Sequence, residues 1–186
     1  MFLQALSLPR SARPAGYDVA ALFREHAPYV WRALRRLGVR EADIEDVSQE
    51  VFVVVHRKLR DFEGRSSPKT WIYGIAVRTA SDYRKRASHA REVVTDTPPE
   101  EVSRDDPHEA LQAEQARATL DRLLDELDDD KRAVFVLYEI EELPMNEVAL
   151  AVGCPLQTAY SRLHAARARM LEASRRLRAV EKGGLS

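Results

Sequence analysis

The chain of 186 residues is 45% apolar and 32% charged, with a formal net charge of −1. That balance describes a helix-rich protein able to bury a core, with room for one large or two small domains. A single cysteine, Cys154, excludes a disulfide framework. No apolar run approaches the roughly 20 residues of a membrane span. A cytoplasmic protein is therefore expected.

Residues 1–16 read as a disordered tail: Leu3, Leu6 and Leu8 are broken by Pro9 and Pro14, and Arg10 and Arg13 follow the apolar residues, the reverse of a signal peptide. Asp18 is placed to cap a first helix with an inner face of Val19, Leu22, Phe23, Val30, Leu34 and Leu37, closed by Gly38. A second helix, from about residue 42 to 62, is predicted to bury Ile44, Val47, Val51, Val54, Val55, Leu59 and Phe62. Its Val51 to Val55 run has strand-like composition, but the helical period continues for about twenty residues and length decides for helix. A loop at 63–68 leads to a third helix, from about Thr70 to His89, burying Ile72, Ile75, Ala76 and Thr79 and ending in Arg84, Lys85 and Arg86.

The pattern then stops. Residues 92–107 hold Pro98, Pro99 and Pro107 among acids and show no apolar period, which predicts a flexible acidic linker. Helices resume near His108, with Leu111, Leu120, Leu123, Leu124 and Leu127 inward. Residues 128–130 form a turn and cap, and Ala133, Val134, Leu137 and Tyr138 are the next inward face. The expected fold is all-α: two small helical domains, 17–91 and 108–178, with a further tail at 179–186.

The densest signal lies between Leu143 and Arg169. Val148, Ala149 and Val152 stripe a short helix, Gly153 can take the left-handed conformation that ends it, and Pro155 restarts the chain. Leu156, Ala159, Leu163, Ala166 and Met170 then recur at helical spacing, leaving Gln157, Tyr160, Ser161, Arg162, His164 and Arg167 on the outer side. This is a helix-turn-helix whose second helix has the donors and acceptors to read a DNA major groove. Charge is distributed to match. Residues 69–91 carry six Lys or Arg against one acid, 91–130 carry fourteen acids against four bases, and 160–182 carry seven bases against two acids. Two basic helices flank an acidic middle, as expected of a chain meeting a polyanion at two places.

The order of Asp43-Ile44-Glu45-Asp46-Val47-Ser48-Gln49-Glu50, then Phe62-Glu63-Gly64, then residues 66–76 around Trp71 resembles the second domain of sigma-70-type RNA polymerase sigma factors. The helix-turn-helix half resembles their fourth domain, and the lack of other domains makes the chain similar to the extracytoplasmic-function (ECF) group. The resemblance implies that Asp43, Asp46, Gln49 and Glu50 dock on a coiled coil of the largest subunit of core RNA polymerase. It implies that Arg65, Ser66, Ser67, Lys69, Trp71, Tyr73, Arg78, Arg84, Lys85 and Arg86 meet the opened minus 10 element of promoter DNA. Trp71 has both a stacking and a core reading, and its neighbours Ile72 and Ile75 favour the core. Gln157, Thr158, Tyr160, Ser161, Arg162, His164 and Arg167 are implied to meet the minus 35 element.

Three departures stand out: Arg78 where relatives commonly carry Asn, Gln157-Thr158-Ala159-Tyr160 in place of a Gly-Thr-Val-basic run, and Ala165 where a basic residue is frequent. The minus 35 sequence therefore cannot be transferred from a relative. An anti-sigma factor is an implied partner, membrane insertion is not expected, and neither is a cofactor or metal, since the five histidines are scattered. No nucleophile with its base, phosphate-binding glycine loop or carboxylate pair points to an enzyme. A stand-alone helix-turn-helix regulator is the alternative, and it leaves the acidic face of the second helix and the Trp71 segment without a role.

Overall fold

In the computed structural model, residues 17–91 and 107–183 are described. The expected tail at 1–16 and nearly all of the expected linker, 92–106, lie outside the described residues. Helix α1 (Val19–Arg36) is capped by Asp18, whose carboxylate accepts the Ala20 N–H at 3.1 Å, and it ends at Leu37 ahead of Gly38 with φ of 92°. Its buried side is Leu22, His26, Val30, Ala33 and Leu34. Phe23, expected inward, is 44% exposed and sets only an edge against Phe52, because the face is centred on the 22–26–30–33 row and places His26 inward instead.

Helix α2 (Ile44–Lys58) is extended by single 3-10 turns at 41–43 and 59–61, so the predicted long helix is present with tightened ends. Its strand-like stretch is helical, with Val51 and Val55 fully buried. Helix α3 (Pro68–Arg91) is the centre of the molecule. Residues 72–76 are buried without interruption, which an amphipathic surface helix cannot show. The cause is packing on two sides: α1 and α2 cover one face of α3, and a helix from the C-terminal half covers the other.

That half comprises α4 (Pro107–Asp125), α5 (Asp129–Phe135), a π-helical turn at Val136–Ile140, α6 (Met145–Val152) and α7 (Leu156–Gly183). Helix α4 begins one residue inside the expected linker, and α7 runs on through the first residues of the expected C-terminal tail. Asp128 caps α5 by accepting the Lys131 N–H at 2.9 Å. Gly153, with φ of 70° and ψ of 39°, ends α6 in the left-handed conformation, and the Cys154 N–H reaches back to the Ala149 carbonyl at 3.1 Å. Ala159, Leu163 and Ala166 of α7 are buried as expected. Leu156 is 46% exposed, since it opens α7 beyond the reach of the stripe.

The halves meet along α3 and α6. Gly74 permits the approach, for a Cβ there would lie 2.9 Å from the Ala151 carbonyl oxygen. Glycine inside a helix costs about 1 kcal/mol relative to alanine, a cost offset here by the close contact it allows. At the other end, Arg132 of α5 is only 2% exposed; its Nε donates to the Arg36 carbonyl at 2.6 Å and its Nη1 to Asp125 at 2.7 Å.

Candidate functional site

The acidic side of α2 is exposed at Asp46, Gln49 and Glu50. Asp43 differs from them. Its Oδ2 accepts from Arg40 Nε at 2.8 Å and from the Tyr83 hydroxyl at 2.5 Å, and the Tyr83 hydrogen bond, assisted by Arg40, holds the carboxyl below its usual range. Asp43 thus ties the 37–43 turn to α3. Glu50 accepts from Arg86 at 3.0 Å, which joins a predicted polymerase contact to a predicted DNA contact.

In the 63–67 loop, Ser67 caps α3. Its Oγ accepts the Thr70 N–H at 3.1 Å and lies 2.8 Å from the Thr70 hydroxyl. Ser66 donates to the Ser67 carbonyl at 3.4 Å, and Arg65, largely exposed, pairs with Glu63. Lys69 holds its ammonium 5.0 Å from the Tyr29 ring centre and 5.7 Å from that of Tyr73. Trp71 is half-buried, with its ring 4.9 Å from Phe62, so the core reading describes most of its surface. Tyr73 is a correction to the sequence reading. It is 1% exposed and donates its hydroxyl to Glu141 at 2.5 Å, so it offers no face for a base. Burial raises the Tyr73 pKa far above the usual phenol value, and Glu141 adds to the rise.

Arg78, Lys85 and Arg86 are exposed along α3. Arg84 is not: it pairs with Asp129 at 2.9 Å, and Ser81 donates to the same carboxylate at 2.8 Å.

On α7 the predicted reading side is open. Gln157, Tyr160, Ser161 and His164 are exposed, Tyr160 by 49%, and Thr158 is half-buried. Ser161 donates to the Thr158 carbonyl at 2.9 Å, which leaves its oxygen as an acceptor. Arg162 pairs with Asp130, while Arg167 donates to Glu139 at 2.6 Å and lies over the Tyr138 ring. These two guanidiniums are engaged within their own half.

Sequence reasoning missed the acids that reach across: Glu141, Glu147 and Asp129. Glu141 also takes Arg36 at 2.7 Å, and Glu147 accepts from Thr70. Nothing marks an exposed-looking glutamate as a long-range acceptor. The one signal available was Gly74, a glycine inside a helical period.

Residues 22–90 match the family model for sigma-70 region 2, and residues 117–170 match that for sigma-70 region 4. The ECF RNA polymerase sigma-E factor of Escherichia coli K12 is 32% identical over 140 residues, covering 69% of this chain and 72% of that protein. The chain belongs to the ECF group of the sigma-70 family. The RNA polymerase sigma-H factor of Pseudomonas aeruginosa is 30% identical over 135 residues, 67% of this chain and 69% of its own length. The solved structure of CnrH in complex with the cytosolic domain of CnrY aligns with a TM-score of 0.62 at 26% identity, covering 87% of this chain and 88% of that one. The sigma factor RpoE of Bartonella quintana, solved with the anti-sigma factor NepR, shares the fold with a TM-score of 0.62 at 21% identity, over 85% and 97% of the two chains. This ECF sigma factor binds core RNA polymerase and directs promoter recognition. Among the described residues, no helix is long and apolar enough to cross a membrane.

Proposed function

We propose that the first half, 17–91, carries the polymerase contact and the minus 10 contact, and that the second, 108–178, carries the minus 35 contact. The observation that supports this best is the pair of exposed faces of opposite character: the acids Asp46 and Glu50 with Gln49 on α2, and Tyr160, Ser161 and His164 on α7. Acids standing clear of the core suit a basic docking surface. A helix face with mixed donors and acceptors suits base edges in a major groove.

Strand opening costs base stacking and pairing, and is offset by contacts made only to single-stranded DNA. A basic groove with an aromatic face supplies such contacts, each stacked base being worth roughly 1–3 kcal/mol. Arg65, Lys69, Arg78, Lys85 and Arg86 furnish the charge, with Ser66 and Ser67 beside them, and the exposed edge of Trp71 the aromatic surface. The chemistry is binding rather than bond making. The protein acts in the cytoplasm, where the polymerase is, and an anti-sigma factor is its regulator, as NepR is the anti-sigma factor in the RpoE complex. A stand-alone helix-turn-helix regulator would leave the region 2 match without a use.

The test is the double variant Asp46→Lys, Glu50→Lys. It is expected to lose binding to purified core polymerase, by gel filtration or pull-down, with helix content unchanged by circular dichroism. Retained binding would remove this face from the docking surface.

A further inference from the structure

With Tyr73 buried and the Trp71 ring set against Phe62, the loop and α3 offer a DNA strand little aromatic surface of their own. Helix α1 supplies a ring instead. Tyr29 stands next to the inward Val30 and one turn from the inward His26, so it lies at the edge of the buried side of α1 rather than on it. It is 39% exposed. Because α1 packs along α3, that edge comes over the first turn of α3, where Lys69 follows the 63–67 loop.

Two cations from two helices mark this ring. The guanidinium carbon of Arg32, one turn further along α1, is 4.7 Å from the Tyr29 ring centre, and the Lys69 ammonium is 5.0 Å from it. The same ammonium is 5.7 Å from the ring centre of Tyr73. Of the two tyrosines near Lys69, the inner one is fixed by burial and by Glu141, and the outer one is open to solvent. A single exposed aromatic is ordinary. An exposed ring with cations on either side of it in sequence and space, next to Ser66 and Ser67, has the composition of a single-strand site, where bases lie on aromatic faces and cations follow the phosphates. An exposed cation–π pair contributes less than a stacked base, so this ring gains more from a base than from its present neighbours.

We infer that Tyr29 is the stacking platform for one unpaired base of the opened minus 10 strand, with Arg32 and Lys69 holding the phosphates beside that base. The inference rests on the assignment of the 63–69 loop and α3 to the minus 10 strand made above, and it extends that surface onto α1.

The test uses holoenzyme assembled from the full chain and purified core polymerase. The probe is a fluorescein-labelled single strand carrying a minus 10 sequence selected by the parent holoenzyme from a randomised library, and a series in which each nucleotide in turn is made abasic. Tyr29→Ala, Tyr29→Leu and Tyr29→Phe are compared with the parent, with helix content checked by circular dichroism and polymerase binding by gel filtration. Arg65→Ala and Arg78→Ala report separately on the loop and α3.

Tyr29→Ala and Tyr29→Leu are expected to bind the strand about tenfold more weakly, whereas Tyr29→Phe, which keeps the aromatic face, stays within about twofold of the parent. At one position of the strand, removing the base is expected to weaken the parent by a similar factor and to have no further effect on Tyr29→Ala, as two changes that delete one contact must behave. Parent-like binding by Tyr29→Ala and Tyr29→Leu, or a loss in Tyr29→Phe equal to theirs, would overturn the stacking role. A loss in which every abasic position costs the variants what it costs the parent would also overturn it, since the ring would then only support the fold. If Arg65→Ala and Arg78→Ala weaken binding while the Tyr29 variants do not, the stacking role alone falls. If none of them weakens binding, the assignment of the loop and α3 falls with it.

Discussion

The two helices proposed to face DNA are presented in opposite ways. On α7, Tyr160, Ser161 and His164 stand in solvent, and Arg162 and Arg167 are paired with Asp130 and Glu139 of their own half. On α3, Thr70, Tyr73 and Arg84 are engaged by the other half of the chain. The proposed minus 35 surface takes no partner from the other half of the chain, whereas the proposed minus 10 surface is shared with one. The difference traces to α3 being wrapped on two sides, with Gly74 rather than a larger residue at the crossing. It follows that the two surfaces should respond differently to mutation: α7 through base preference, α3 through the brace that holds it.

The largest effect is expected where the brace is buried. Arg132 donates to the Arg36 carbonyl and to Asp125 from a position 2% exposed. Arg132→Ala leaves that carbonyl without its donor and opens space beside Gly38. Asp125 is largely exposed, so its carboxylate recovers water and the cost falls below that of a fully buried pair. A loss of about 2–3 kcal/mol is expected from thermal unfolding of the full chain. A loss no larger than that of a surface Arg→Ala would mean the brace contributes little, and the contrast between α3 and α7 would weaken accordingly.

A smaller effect is expected on α7, confined to specificity. His164→Ala should change preference among minus 35 sequences by about 1–3 kcal/mol. Ser161→Ala should do less, because its hydroxyl proton is already committed to the Thr158 carbonyl. Neither should lower thermal stability, since Ala159, Leu163 and Ala166 form the buried side. Holoenzymes carrying each variant on a promoter library randomised at minus 35 provide the measurement. Unchanged preference in both would leave phosphate contacts to place this helix.

The parts legible in the sequence are those governed by neighbours along the chain. Asp18 and Asp128 cap where their types predict, Gly153 takes the left-handed turn, and the buried side of α7 follows its period apart from Leu156. Long-range pairing left no such trace. Glu141 meets Arg36 and Tyr73 across 105 and 68 residues, and Thr70 meets Glu147 across 77. Periodicity reports which side of a helix is apolar, and it placed Phe23 inward where the structure puts His26. A helix buried on two sides, such as α3, has no single apolar stripe to read, which is why Tyr73 looked available to DNA.

His26 gives the finest test of the contrast, because it is a histidine on the buried side of α1 while His164 is one on the open side of α7. His26 is 7% exposed, and its Nδ1 has no hydrogen-bond partner. Burial lowers its pKa below the ordinary 6.5, Lys69 adds to the drop, and Glu25, 3.9 Å away, only partly opposes it. The unfolded chain therefore takes up a proton near 6.5 while the folded chain still refuses it. Stability is full above 6.5, declines as pH falls below that value, and stops declining once the folded-state pKa is passed. One group limits the slope to about 1.4 kcal/mol per pH unit. Urea unfolding about one unit above and below 6.5 should show this decline in the parent and in His164→Ala. His26→Leu, which keeps an apolar side chain in the same row as Leu22 and Val30, should flatten it. An equal decline in His26→Leu would assign the pH response to another group and leave the buried imidazole without a titrating role.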